Sequence, residues 1–251
     1  MRVIHIAGTS GSGKTTFIRA LIPLLELGGA TAVVKHLGHH DYLLEAGKDT
    51  TLFFGEGATA SAGVDSEKTV LVFRKNSLAQ IFSFLSSMGT RYVLVEGWKT
   101  LPLPKVVIGT LPEAGGVVHT NPTVGQVIES LEKFPLYYSL EGLTRELESA
   151  QGQKVVLAGS YPARAGGDAP ESRREFYLRF SPILTEISRD TASCFEEVQM
   201  MLHLHQGLLF SEEDAVLMAV GAKSPEAAIR AFTSLQGRLL SAFDTDSSDK
   251  G

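Results

Sequence analysis

Cysteine is almost missing from this chain. Cys194 stands alone in 251 residues, which excludes an intramolecular disulfide framework and any metal site built from several thiolates of one chain, and fits a reducing cytoplasm. Long apolar runs are missing too. No stretch approaches the ~18 residues needed to span a bilayer, and no signal peptide precedes the first glycine, so a soluble cytoplasmic protein without a membrane partner is expected. An excess of basic charge is also lacking. Twenty-three Lys and Arg against 28 Asp and Glu give a net charge of −5, which argues against broad binding to nucleic acid or anionic lipid. No internal repeat is visible.

What is present is globular: 43% apolar and 20% charged residues, on a length that suits two structural units better than one. Residues 1–138 carry 12 basic and 11 acidic residues, and 139–251 carry 11 and 17. The first part is therefore the better host for a polyanion. Its strand candidates are Val3–Ile6, Ala32–Lys35, Thr69–Phe73, Tyr92–Val95, Lys105–Ile108 and Gly116–His119. Helical spacing follows Gly13, with Pro23 a kink before Gly28-Gly29, and recurs at Ser77–Met88 and Val124–Phe134. Alternating strands and helices predict a doubly wound, mostly parallel α/β sheet over residues 1–137, with a functional loop at 37–68 and a linker or edge element at Pro135–Tyr138. A smaller α+β unit is expected over 139–242. Its strands would be Val155–Ala158, Glu175–Phe180 and Asp214–Val220, and its helices Glu186–Met201 and Ser224–Leu240. A mobile loop is expected at 162–174 and a disordered tail at 243–251.

The sharpest chemical signal is Gly8-Thr9-Ser10-Gly11-Ser12-Gly13-Lys14-Thr15-Thr16. It satisfies G-x-x-x-x-G-K followed by Ser or Thr, and it lies between a predicted strand and a predicted helix. Glycines let backbone N–H groups wrap a phosphate, the lysine reaches the outer phosphate oxygens, and the hydroxyl binds Mg²⁺. Lys14 and Thr15 take the last two roles, with Gly8, Ser10, Gly11, Ser12, Gly13 and Thr16 lining the phosphates. A nucleoside triphosphate is the expected ligand. Tyr92-Val93-Leu94-Val95-Glu96 ends an apolar strand in one carboxylate, where this fold places an acid beside metal and attacking water. Lys35-His36-Leu37-Gly38-His39-His40-Asp41 lies beyond the second strand, at the ligand edge of such folds. Phosphate contacts, relay groups, a zinc or nickel site and an ordinary hydrogen-bonded surface turn are the open readings of that cluster. No Asn-Lys-x-Asp motif for guanine is visible.

These features, with Gly47-Lys48-Asp49-Thr50, Gly57-Ala58, Val95-Glu96-Gly97-Trp98-Lys99 and Pro104-Lys105-Val106, make the first half resemble the MobB family, the adaptor proteins of molybdopterin-guanine dinucleotide biosynthesis. The resemblance implies a P-loop nucleotide-binding fold, a homodimer, binding of GTP with weak Mg²⁺-dependent hydrolysis, and assistance to the MobA-like guanylyltransferase that attaches GMP to molybdopterin. Molybdopterin is then a possible ligand. It also makes Asp49 and Glu96 candidates for the magnesium and water environment alongside Thr15 and Lys14, and places Lys35, His36 and Lys48 on the phosphate side. Glu56-Gly57-Ala58 departs from the family's usual Ala-Gly-Ala.

From about residue 139 the chain resembles, more distantly, the large subunit of molybdopterin synthase, MoaE. Gly207, Glu213 and Val216 match that family's spacing, and Ala227–Phe232 the start of its last helix. The position of its active-site lysine counts to Phe243, His205 stands where it has arginine, and Thr245-Asp246-Ser247-Ser248 replaces its basic ending. A module without synthase activity, kept for structure or docking, is implied. A small-molecule kinase is the main alternative for the whole chain, with Arg164–Arg174 its only arginine-bearing flexible segment, and a metal-inserting GTPase is the other.

Overall fold

The computed structural model describes residues 1–38, 45, 47–74, 77–112, 114–149, 155–161, 173–195, 197–205 and 216–248, without the side chains of 173–176 and 244–248. His39, His40, Asp41, Gly207, Glu213, Lys250 and almost all of the 162–174 loop lie outside these residues.

A five-stranded sheet organises the first half. β1 (Arg2–Ala7), β2 (Thr31–Lys35), β5 (Tyr92–Glu96), β6 (Lys105–Val107) and β7 (Val117–Thr120) stand in the order β2-β5-β1-β6-β7, and every pair is parallel. Period-two alternation divides its faces. Ile4, Ile6, Leu94 and Val106 meet Ile18, Leu21 and Leu25 of helix α1 (Lys14–Glu26), with Val127 of α4 (Val124–Ile128) beside them. Val3, Val93 and Val95 face the other way, onto Phe82 of α3 (Leu78–Ser87). Each such fully buried aliphatic side chain contributes about 1.5–3 kcal/mol. Helices on both faces give the doubly wound arrangement the alternation predicts.

Three features of this half depart from the sequence reading. Thr69–Phe73, expected in the parallel sheet, is strand β4 of a separate antiparallel hairpin with β3 (Ala60–Val64). The 37–68 region is not all loop, because it contains β3 and a short helix, α2 (Asp49–Gly55). The helix expected over Val124–Phe134 breaks into α4 and a 3-10 turn at Leu131–Lys133. Phe134–Tyr138 then runs extended beside the start of β1. Val3 N–H donates to Pro135 O at 2.9 Å and Tyr137 N–H to Met1 O at 2.7 Å.

The second half is a three-stranded antiparallel sheet, β8 (Val155–Tyr161), β10 (Val216–Ala222) and β9 (Val198–Leu204), in the order β8-β10-β9. Its central strand is buried throughout. Val216, Met218 and Val220 face α6 (Arg173–Ser193) and α7 (Pro225–Ser248), while Leu217 and Ala219 face Leu143 and Leu147 of α5 (Leu140–Glu148). Ser139 caps α5, accepting from Gly142 N–H at 3.0 Å, and its own N–H donates to Ser86 Oγ on α3, so α5 joins the two sheets' helices.

Here too the sequence reading needs correction. Glu175–Phe180 is not a strand: it lies inside α6, where Phe180 and Leu184 are buried one turn apart and Leu178 points outward at 63% exposure. The helix expected at Glu186–Met201 ends at Ser193, and its last residues start β9. The tail expected to be disordered from 243 continues α7 to Ser248.

Candidate functional site

The loop between β1 and α1 lies at the carboxyl edge of the parallel sheet, where such sheets bind ligands. Its backbone is shaped by glycines in left-handed or related conformations, with φ of +146° at Gly8, +73° at Gly11 and +91° at Gly13. Gly8 is fixed by space as well as by φ, since a Cβ there would stand 2.0 Å from the Ile108 carbonyl oxygen. Gly8→Ala is expected to destabilise the fold by roughly 2 kcal/mol, from backbone strain together with the clash. Urea unfolding measures it, and a midpoint equal to that of the parent would contradict the geometry.

Helix α1 begins at this loop without a side-chain cap and without an acidic residue in its first turn. By contrast α3 and α4 carry complete capping boxes, Ser77 with Gln80 and Thr123 with Gln126. The first N–H groups of α1 and the positive end of its dipole are therefore left to an anion. Lys14 Nζ folds back on the loop, donating to Thr9 O at 2.5 Å and Gly8 O at 3.3 Å. Ser12 Oγ is buried with no hydrogen-bond partner among the described residues, an unmet polar group in the loop's interior.

Glu96 closes β5 on the same edge and is only 7% exposed. Thr15 Oγ1 donates to Glu96 Oε1 at 3.4 Å, and Lys35 Nζ at the end of β2 stands 3.5 Å from the same oxygen. The register Lys35↔Glu96 and Ile6↔Glu96 makes this meeting a consequence of strand pairing. His36 follows Lys35, donates its N–H to Glu96 O at 2.8 Å and stacks on Trp98 with ring centroids 4.5 Å apart. Gly97, at φ +100°, allows that approach, since a Cβ would lie 2.9 Å from the Cβ of His36.

The structure thus brings together Gly8, Ser10, Gly11, Ser12, Gly13, Lys14, Thr15 and Thr16 with Glu96, Lys35 and His36. It does not join Asp49 and Lys48 to them. Asp49 opens α2, which packs on β3 of the hairpin, Lys48 pairs with Glu45 at 3.6 Å, and among the described residues neither bonds to Lys14, Thr15 or Glu96. No group of three or more His, Cys, Asp or Glu among the described residues is arranged to hold a metal; His39, His40 and Asp41, on which the transition-metal reading depends, lie outside those residues. At the phosphate loop, a hydroxyl beside a nearly buried carboxylate is the donor set of a hard, oxygen-seeking cation such as Mg²⁺.

Some residues near this edge have roles that the sequence reading does not assign. His5, fully buried, has its Nε2 2.6 Å from Gly97 O and so anchors the turn after Glu96. Burial lowers its pKa from 6.5 to about 4. Lys105 is also buried, its Nζ donating to Leu101 O at 2.8 Å, with burial lowering its pKa. Asn121, at φ +49°, brackets Gly109 through both N–H and C=O, and Gly109 in turn abuts Ser12. The Asn121-Pro122 turn dipeptide is the one signal that points to a special backbone there.

The family model described as "Molybdopterin guanine dinucleotide synthesis protein B", MobB, matches residues 3–124. The probable molybdopterin-guanine dinucleotide biosynthesis adapter protein of Bacillus subtilis is 36% identical over 110 residues, covering 42% of this chain and 64% of that protein. The putative adapter protein of Methanocaldococcus jannaschii is 33% identical over 112 residues, covering 43% of this chain and 47% of that protein. The Haemophilus influenzae adapter protein is 31% identical over 110 residues, with 42% and 62% covered. The chain therefore spans between about half and just under two-thirds of the length of these curated relatives. Among solved structures, Bacillus subtilis MobB is 22% identical, with 55% of this chain and 100% of that chain covered and a TM-score of 0.43. Among the described residues no helix is long and apolar enough to cross a membrane. Residues 3–124 of this chain are thus similar in sequence to the MobB family.

Proposed function

We propose that this chain is a GTP-binding accessory protein of molybdenum cofactor biosynthesis that assists a MobA-like guanylyltransferase in attaching GMP to molybdopterin, and that it hydrolyses GTP slowly with Mg²⁺. One observation carries the reading: in a segment similar to MobB, the uncapped start of α1 with Lys14 and Thr15 meets Glu96 and Lys35 at one sheet edge. The preference for guanine rests on the family.

Loop N–H groups and the α1 terminus would hold the phosphates, with Lys14 turning from Thr9 O and Gly8 O to the outer phosphate oxygens. Thr15 Oγ1 and Glu96 would hold Mg²⁺, which when bound neutralises charge developing on the phosphates. Glu96 also orients water, while Lys35 keeps that carboxylate in place through its 3.5 Å contact. The loop supplies no arginine, so turnover in isolation is slow. A homodimer in the cytoplasm is the working assembly. The second half, MoaE-like in sequence but with Phe243 at the counted lysine position, serves docking and not sulfur transfer.

The test is GTP binding and hydrolysis by the full chain, with and without Mg²⁺, followed by addition to a guanylyltransferase supplied with molybdopterin. Mg²⁺-dependent turnover is expected to fall roughly 100-fold in Glu96→Gln, near the lower end of what a positioned carboxylate supplies. Rapid phosphoryl transfer to a small metabolite, or an unchanged guanylyltransferase rate, would overturn the reading.

A further inference from the structure

At the opposite edge of the parallel sheet from the phosphate loop is a cavity of about 580 Å³, within the range of sites for small molecules and cofactors. Its walls come from both halves of the chain: Arg2 at the start of β1, Arg91 and Tyr92 at the start of β5, and Tyr138, Arg145 and Glu146 on and before α5. β1 alone separates it from the phosphate loop by about 17 Å, at ~3.3 Å per strand residue, so it is a distinct place.

Three guanidiniums against one carboxylate line this cavity. Two are held by one edge, Arg2 Nη1 donating to Phe134 O at 2.6 Å and Arg145 Nη2 to Ser87 O at 2.7 Å. Each guanidinium has five donors in a planar fork, so both keep others to offer. No side-chain hydrogen bond or ion pair occupies Arg91 among the described residues. The backbone is cut to admit these side chains. A Cβ on Gly29 would stand 2.7 Å from Arg91 Cδ, and one on Gly89, at φ +85°, 3.3 Å from Arg145 Cδ. Tyr92 and Tyr138, with Leu131 and Leu136, add aromatic and apolar wall for an organic body. Burial and Glu146, with which the Tyr138 hydroxyl is hydrogen-bonded, push that hydroxyl up to about 12, so its ring and not its O–H is what it offers the ligand.

We propose that this cavity binds a phosphorylated small molecule, its phosphate taken by Arg91 with Arg2 and Arg145 and its organic part set between Tyr92 and Tyr138. Guanidinium forks match phosphate oxygens in pairs, and a dianion balances the surplus of positive charge. Glu146 opposes the ligand's charge and sets an upper limit on affinity. The site does not depend on the nucleotide reading, because none of its residues belongs to the phosphate loop or to the Glu96 cluster.

The experiment is calorimetric titration of phenyl phosphate into the full chain carrying Lys14→Ala, which disables the phosphate loop. One saturable site per chain is expected. Adding Arg91→Ala should weaken it roughly tenfold or more, the loss of about one charge-assisted hydrogen bond, whereas adding Glu146→Gln should tighten it. Arg91 is exposed, so its truncation should leave the fold intact, which circular dichroism checks. In the otherwise unaltered chain, Arg91→Ala should leave GTP affinity unchanged. Absence of saturable binding, binding indifferent to Arg91→Ala, or loss of GTP affinity in that variant would each overturn the assignment.

Discussion

Lys14→Ala is expected to abolish measurable nucleotide binding while leaving the protein folded. The ammonium has no place in the core. Its present partners are two loop carbonyls, Thr9 O and Gly8 O, which water can satisfy in its absence, so the change in stability should stay within about 0.5 kcal/mol. In the complex the same group faces two phosphates, and each charge-assisted hydrogen bond lost costs about 1.5–3 kcal/mol. Two such bonds amount to a loss of affinity of roughly 100-fold to 10⁴-fold. Fluorescent-nucleotide titration measures the affinity and circular dichroism the fold. A folded variant with parental affinity for GTP and ATP would mean that the loop does not bind phosphate, and the proposed function would fall with it.

Legibility of the fold in the sequence follows burial. β1, β5 and β6 are covered on both faces, so they read as apolar runs, broken only by His5 in β1 and bounded by glycine or polar residues. α3 and α4 announce themselves through Ser77 with Gln80 and Thr123 with Gln126, where the cap chemistry is local. The hairpin of β3 and β4 and helix α2 are different. Leu52, Phe53, Val64 and Val70 are all more than half exposed, so neither a helical nor an alternating pattern emerges, and β3 goes unseen. In the second half the period itself misleads. Phe176, Leu178 and Phe180 alternate along the sequence, yet the helix buries Phe180 and Leu184 with Ile187 beside them, and turns Leu178 to solvent. In β9, Met200, Leu202 and Leu204 pack toward α6 and α7 while Met201 packs toward α5, so the strand is apolar on both sides and its run cannot be told from a helix by spacing.

The candidate site was legible where one motif fixes its own geometry and illegible where tertiary pairing is required. Gly8 to Thr16 carries its loop in its spacing, and Glu96 is found because its strand ends in a single acid. The meeting of Lys35 with Glu96 depends on the parallel register of β2 with β5. Strand position put Lys35 at the ligand edge, but its pairing with Glu96 went unread. His5 was hidden for another reason. In the sequence it sits within an apolar strand as an ordinary polar interruption, and only the fold shows its ring holding Gly97 O across the sheet.

That buried ring makes the protein acid-sensitive well above the range where carboxylates titrate. His5 Nε2–H donates to Gly97 O, so the proton it would gain in acid goes to Nδ1, which is buried and has no partner among the described residues. Lys105 nearby opposes the charge further. The folded pKa of about 4 lies below the ordinary value of 6.5, so the unfolded chain binds the proton first. Stability is therefore full above pH 6.5 and is lost as pH falls toward 4, by about 2 kcal/mol between pH 7 and pH 5 and about 3 kcal/mol by pH 4. His203 adds to the same trend. Burial, His205 and the terminal amine hold its pKa well below normal, and its Nε2 has no hydrogen-bond partner among the described residues. Urea unfolding at pH 7 and pH 5 gives the comparison. His5→Asn and His203→Phe should each cost some stability at pH 7 and flatten the slope between the two pH values, the double variant most. A parent whose stability is the same at both, or a slope unaltered in the double variant, would show that these imidazoles are not the acid-labile groups.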